Sequence, residues 1–142
     1  LPTFLAFVGF WYLLCLIVGR RATYSFATVS SHHGNYSVVY ITTPSSDEAE
    51  SLASALVAKE LAACVNVLPS VTSVYGWEGQ VRKDPESLMI VKTRLALLPE
   101  LADYVASNHP YSVPEVLAVP VIGGLSKYLD WVHRATGGLR PS

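Results

Sequence analysis

One order of elements occurs twice in this chain, and that repetition limits its folds more than any single motif does. The stretches "VYITTPSSDEAESLASALVAKELAACVNV" and "MIVKTRLALLPELADYVASNHPYSVPEVLAV" each run strand, helix, strand. In the first, "YSVVYITT" (36–43) is β-branched and aromatic and reads as a buried strand. Ser46 then serves as an N-cap, and Asp47, Glu48 and Glu50 occupy the first turns, where the helix dipole favours acid. Ala49, Leu52, Ala53, Leu56 and Val57 recur at spacings of three and four, which predicts one apolar face on a helix of about fifteen residues. "CVNVLPSVTSVYGW" (64–77) is a long extended run, bent or bulged near Pro69.

The second copy begins at "SLMIVKTR" (87–94). Its helix opens at Leu97-Leu98-Pro99, carries an apolar stripe of Leu98, Leu101, Ala102 and Val105, and stops at Asn108-His109-Pro110. "PEVLAVPV" (114–121) is the fourth strand. The polar stretch "EGQVRKDPE" (78–86) joins the copies as a turn. "LSKYLDWVHRATGG" (125–138) is a last helix with Leu125, Leu129 and Val132 on one face and a stop at Gly137. Two strand–helix–strand units joined by a hairpin predict an α+β, ferredoxin-like split β-α-β sandwich: βαββαβ plus a C-terminal helix, with right-handed crossovers. Two helices cover one face of such a sheet. The other face and the sheet edges need a cover, and self-association supplies one, so a homo-oligomer is expected.

Residues 1–35 stand apart from this pattern. Leu1 to Gly19 carry no charge, and Arg20-Arg21 follow at once. About nineteen apolar residues just suffice to span a bilayer, and they equally suit the core of a targeting peptide. The expectation is an N-terminal targeting or anchor segment and linker over residues 1–35, with the folded domain over 36–142. Delivery to an organelle, or to the secretory route or a membrane, would follow, with the cytoplasm as the alternative. The linker holds His32 and His33, an adjacent pair read as solvent-exposed.

Charge excludes one class of function. Removing Arg20 and Arg21 from the ten basic residues leaves eight against eleven acidic ones, a formal charge of −3. A nucleic-acid groove wants clustered positive charge, so nucleic acid is not an expected partner. The chain has no G-x-x-x-x-G-K-[ST] or G-x-G-x-x-G phosphate cradle and no indicated nucleophile–base pair, so no enzymatic activity is expected. Its two cysteines, Cys15 and Cys64, lie one in the apolar segment and one in the domain, which leaves the redox compartment open.

"ELAACVNVLP", "SVYGWEGQV", "LMIVKT", "HPYSVPEV" and "YLDWV" occur in this order across residues 36–136. Together they resemble the CutA divalent-cation tolerance family. The resemblance implies a ferredoxin-like subunit in a tight homotrimer similar to the PII signalling proteins, with long central strands reaching towards neighbouring subunits. It also implies tolerance of copper and other divalent metals, a plastid extension in plant members, and an association with acetylcholinesterase anchoring in animal members. Two positions depart from the family pattern: Ser112 stands where an acidic or amide residue is usual, and Gly76 where a bulky or polar one is.

Three residues are candidate metal ligands. The thiolate of Cys64 is a soft ligand suited to copper or zinc, and the same residue also suits a buried core position. His109 carries an imidazole at a helix end, either a ligand or a cap for the last turn. Glu115 can add a carboxylate, or can pair with Lys92 or Arg94. These residues share no local ligand spacing and can meet only through folding or between subunits. Tyr75, Trp77, Tyr111, Tyr128 and Trp131 form an aromatic set that either lines an intersubunit pocket with Lys92 or covers interfaces. The expected function is therefore a non-enzymatic homotrimer that binds copper or another divalent ion. The alternative is a PII-like regulatory or scaffolding trimer that binds a small metabolite or a protein partner in its clefts. Membrane association would run through residues 1–19.

Overall fold

The computed structural model describes residues 29–30 and 35–138. The apolar segment 1–19, Arg20-Arg21 and the His32-His33 pair lie outside the described residues. The elements are β1 (Val29–Ser30), β2 (Tyr36–Thr43), α1 (Ser46–Ala58), β3 (Cys64–Trp77), β4 (Gln80–Arg94), a short 3-10 turn (Leu95–Leu97), α2 (Leu98–Asn108), β5 (Leu117–Pro120), β6 (Gly124–Leu125) and α3 (Ser126–Ala135). The main sheet has the order β3-β4-β2-β5, all neighbours antiparallel. Each strand–helix–strand unit is split by a strand of the other, which is the α+β sandwich that the repeated pattern predicts. Val29 and Ser30 add a two-residue ladder to Leu125 and Gly124.

Alternation along the strands sorts the sheet into two faces. Val39 and Ile41 of β2 and Met89 and Val91 of β4 point to one side and are fully buried with Ala49, Leu52 and Leu56 of α1 and Leu101 and Val105 of α2. The other face carries rows set by the register. Val119, Val38, Lys92 and Cys64 make one row, Leu117, Tyr40, Ile90 and Asn66 the next, and Thr42, Leu88 and Leu68 the third. Only one end of this face is covered, where Leu129 and Val132 of α3 pack with Tyr36 and Ala63. Arg94 fastens that helix: its Nε donates to Thr136 Oγ1 at 2.9 Å and its Nη2 to the Thr136 carbonyl.

Several boundaries differ from the sequence expectation, each for a local reason. The turn after β3 is only two residues long. Glu78 and Gly79 both have positive φ, 50° and 77°, which is the two-residue hairpin geometry that matches strand twist. The stretch 80–86, expected as a polar turn, is therefore the first half of β4. Pro85 is accommodated because β2 ends at the Thr43–Ser87 pair, so the missing N–H withdraws no bond from β2. Strands β3 and β4 run on beyond the sheet as a two-stranded ribbon. The irregularity expected near Pro69 is present, as a register shift between Leu68 and Val71. The fourth strand is shorter than expected, Leu117–Pro120.

The N-cap of α1 is Ser45 rather than Ser46. Ser45 Oγ accepts from the Glu48 amide at 3.3 Å, which caps the helix, and donates to Glu48 Oε2 at 2.8 Å. The helix ends two residues early, in a Schellman motif. Glu60 N–H donates to the Val57 carbonyl and Leu61 N–H to the Leu56 carbonyl, both at 3.0 Å, with Leu56 and Leu61 touching in the core. Val57 and Leu125, placed on apolar faces by spacing, are 43% and 50% exposed.

The Schellman turn requires a left-handed residue, and that residue is Glu60, φ 58°. A side chain there costs about 1–2 kcal/mol that glycine avoids. Glu60→Gly should raise unfolding free energy by about 1 kcal/mol, less the added freedom of the unfolded chain, and urea titration checks the sign.

Candidate functional site

A hollow of about 560 Å³ lies where the ribbon leaves the sheet. Its walls come from β3 (Ser73, Tyr75, Trp77), from β4 (Arg82, Glu86), from Thr42 at the end of β2, and from the segment between α2 and β5 (Pro110 to Val113, and Glu115). The β3 irregularity matters to this arrangement. Leu68 faces Leu88 but Val71 faces Glu86, so one extra residue has entered β3. Cys64, Asn66 and Leu68 below that point therefore share a face with Val71, Ser73, Tyr75 and Trp77 above it. The groove is thus continuous with the uncovered sheet face.

Two hydroxyls set the groove walls. Tyr75 donates to Asp84 Oδ2 at 2.7 Å, which fixes the ring across the ribbon and raises the phenol's pKa above its ordinary value. Tyr111 donates to the carboxylate of Glu86. Burial, then this bond and the carboxylate's charge, push the Tyr111 phenol up to about 12. Glu86 is 9% exposed, the most enclosed acidic side chain in the groove.

The segment "NHPYSVPEV" is held by His109. Its Nε2 lies 2.8 Å from the Thr42 carbonyl and its Nδ1 accepts the Tyr111 amide at 3.0 Å. Those two bonds select the neutral tautomer with the proton on Nε2. The imidazole ties the end of α2 to the end of β2 and aims Tyr111 into the groove. His109 itself lines a different hollow between α1 and α2, with Glu48, Ser51 and Tyr104.

Cys64 lies at the opposite end of the open face, half-buried, with Sγ 3.7 Å from the Tyr128 hydroxyl. Burial, then the contact with Cys64, raises the Tyr128 phenol. Tyr128 in turn packs on Trp131, ring centroids 5.4 Å apart. Lys92, directly across from Cys64, donates to Asn66 Oδ1 and to the Ile90 carbonyl. Four steps along β2 lead from the Val38 row, which holds Cys64, to Thr42, about 13 Å of strand.

The structure thus divides the expected site residues. Glu115, Tyr75, Trp77 and Tyr111 meet in the groove, Cys64, Lys92 and Trp131 sit near α3, and His109 faces the helices. Among the described residues no three His, Cys, Asp or Glu side chains converge as a metal site. Glu115 pairs with neither Lys92 nor Arg94, which bond elsewhere. Ser112 lines the groove, so that departure from the family pattern affects the groove and not the surroundings of Cys64. Gly76 has nothing within 4 Å of where a Cβ would lie, so a side chain fits there. Sequence reasoning missed Arg82 and Glu86 because "EGQVRKDPE" reads as a turn. The signal that could have found them was the Glu-Gly pair, which makes a complete two-residue hairpin by itself.

A split β-α-β sheet with one face largely uncovered and an aromatic, acid-lined groove at its edge defines a small module of the ferredoxin-like class. The family model for the CutA1 divalent ion tolerance protein matches residues 37–135, and the chain belongs to that family. It is 50% identical over 99 residues to the protein named CutA, chloroplastic, of Arabidopsis thaliana, a match that covers 70% of this chain and 54% of that protein. This chain thus spans about half the length of that relative. The solved structure of the divalent cation tolerance protein from Thermus thermophilus superposes with a TM-score of 0.70 at 47% identity, covering 72% of this chain and 99% of that one. CutA1 from Oryza sativa gives 0.70 at 46% identity, covering 72% and 94%.

Tyr111 gives a pH signature. Its folded value, about 12, lies above the ordinary 10.0, so the native state holds the proton more tightly than the unfolded chain. That contribution is complete below pH 10 and is lost as pH rises from there through 12. Phenolate absorbance should show one tyrosine titrating near the top of this range, absent in Tyr111→Phe and shifted downwards in Glu86→Gln.

Proposed function

We propose that the chain assembles as a homotrimer that binds divalent cations, copper foremost, and serves metal tolerance without catalysing a reaction. The observation that carries this reading is the uncovered sheet face, which presents the Cys64 thiol in a row with Lys92, Val38 and Val119. Val119 and Leu117 are 40% and 57% exposed on the same face. Covering each such side chain is worth up to about 1.5–3 kcal/mol, which favours further copies of the chain as the cover. The relatives named for divalent-cation tolerance support the metal part.

Cys64, His109 and Glu115 remain the proposed ligands. Since they do not meet within one chain, a shared site would form between copies, with Cys64 as the soft ligand. His109 would enter it only by exchanging its bond to the Tyr111 amide or to the Thr42 carbonyl. The groove favours a second reading, in which the trimer is a PII-like regulator or scaffold that takes a small metabolite or a protein partner. In that reading Tyr75, Trp77 and Tyr111 from one copy would meet Lys92 and Trp131 from another across the subunit boundary.

We also infer delivery to an organelle through residues 1–19, a reading that the chloroplast-named Arabidopsis relative supports. Membrane attachment would use the same residues. No helix among the described residues is long and apolar enough to cross a membrane.

Light scattering on residues 36–142 should give three times the protomer mass; a monomer overturns the assembly. Equilibrium dialysis with copper should show binding that weakens at least tenfold in Cys64→Ala. Unchanged binding in a Cys64→Ala/His109→Ala protein removes both residues from the site.

A further inference from the structure

The groove holds a carboxylate in surroundings that suit a cation. Glu86 is 9% exposed, and its partner is the neutral hydroxyl of Tyr111. No ion pair involves Glu86 among the described residues. Arg82 lines the same groove, opposite Tyr75 on the neighbouring strand. A buried carboxylate is costly unless a positive charge or several donors compensate it, and one phenol supplies a single donor. The rings beside it point the same way. Tyr75, Trp77 and Tyr111 are 42%, 49% and 39% exposed and line the hollow together. A hollow lined by a carboxylate and by aromatic rings suits an alkylammonium group, whose N–H groups donate to the carboxylate and whose charge is attracted by the ring quadrupoles. Glu115 adds a second acid, so the side chains that one copy gives the groove carry two negative charges against one positive, a balance that Lys92 of another copy would at most make even.

An inorganic cation fits less well. A hard divalent ion takes six or more oxygen ligands, and no three acidic, His or Cys side chains converge among the described residues. The hollow, about 560 Å³, has the size of a small-molecule site.

We propose that this groove binds an organic ammonium ion, a small primary or secondary amine with an apolar substituent, whose N–H groups donate to Glu86 and whose substituent packs between Tyr75, Trp77 and Tyr111. The assignment rests on the reading of the groove as a small-ligand cleft and adds the sign and class of the ligand. It holds whether or not Cys64 binds copper. Glu86 is the specificity determinant, since it distinguishes a cation from a neutral or anionic molecule of the same shape. Tyr111 positions that carboxylate, and His109 positions Tyr111.

Titration calorimetry on the full chain with benzylammonium, benzyl alcohol and benzoate, three ligands of one shape and different charge, tests the proposal. Benzylammonium should bind at least tenfold more tightly than benzyl alcohol, and benzoate more weakly than either. Glu86→Gln should abolish the preference for the cation. Trp77→Ala, at the exposed tip of the ribbon, should weaken benzylammonium by roughly threefold to thirtyfold with the fold retained by circular dichroism. Equal binding of all three ligands would overturn the cation assignment and leave the cleft reading standing, whereas binding of none would remove both. Cation preference unchanged in Glu86→Gln would also overturn it. So would a Glu86→Gln protein of smaller assembled mass, since Glu86 would then pair with a basic residue of a second copy. Displacement of benzylammonium by zinc only when Glu86 is present would make the groove an inorganic-cation site and sink the organic one.

Discussion

Everything distinctive in this molecule follows from a sheet covered by its two main helices on one side only. Val39, Ile41, Met89 and Val91 are sealed against α1 and α2, while Tyr40, Ile90, Leu88 and Leu117 alternate with them on the same strands and face outwards. The two sets cannot be exchanged or separated, because a strand sends successive side chains to opposite sides. A chain that fills one face with aliphatic residues on central strands therefore carries its second face along, and the composition of that face shows what it is for. Here it is aliphatic and aromatic over most of its area, with polar chemistry confined to its two ends. Cys64, Lys92 and Asn66 sit at one end, and Thr42, Glu86 and Tyr111 at the other.

The fold was legible because its signals are periodic and local. The strand 36–43 and both main helices follow from side-chain spacing, and serine followed by acidic residues marks the start of α1. Position within the cap was not legible: two adjacent serines compete, and only the backbone angles decide between them. Residues 80–86 were misread for a different reason. Charge, glycine and Asp-Pro usually mark a turn, but a ribbon exposed on both sides needs no apolar alternation, so its strand character leaves little trace in composition.

The candidate site was less legible than the fold because it depends on distances between remote elements. Cys64 and His109 are each chemically suited to a metal, and residue type is all that a sequence can rank. The structure shows what each is bound to. His109 has both ring nitrogens engaged by main-chain groups, which makes it a clasp between helix and sheet. "NHPYSVPEV" works accordingly: one proline follows the clasp directly, a second precedes the last strand of the main sheet, and Tyr111 between them is delivered to Glu86. The groove belongs to Glu86 and Arg82, residues that attract no notice in a stretch that reads as a linker.

The single extra residue in β3 has a further meaning. Side-chain direction along a strand is a two-valued property, and a slip of one place between paired strands inverts it. The extra residue in β3 absorbs such a slip. If the pairing of Leu68 with Leu88 ran on as a regular ladder, Tyr75 would stand opposite Val81 instead of Arg82, and it and Trp77 would emerge on the helix side. The register of the ribbon is thus adjustable only in even steps: a slip of two places restores the face, whereas a slip of one near Pro69 erases the groove while leaving a sheet that is otherwise sound.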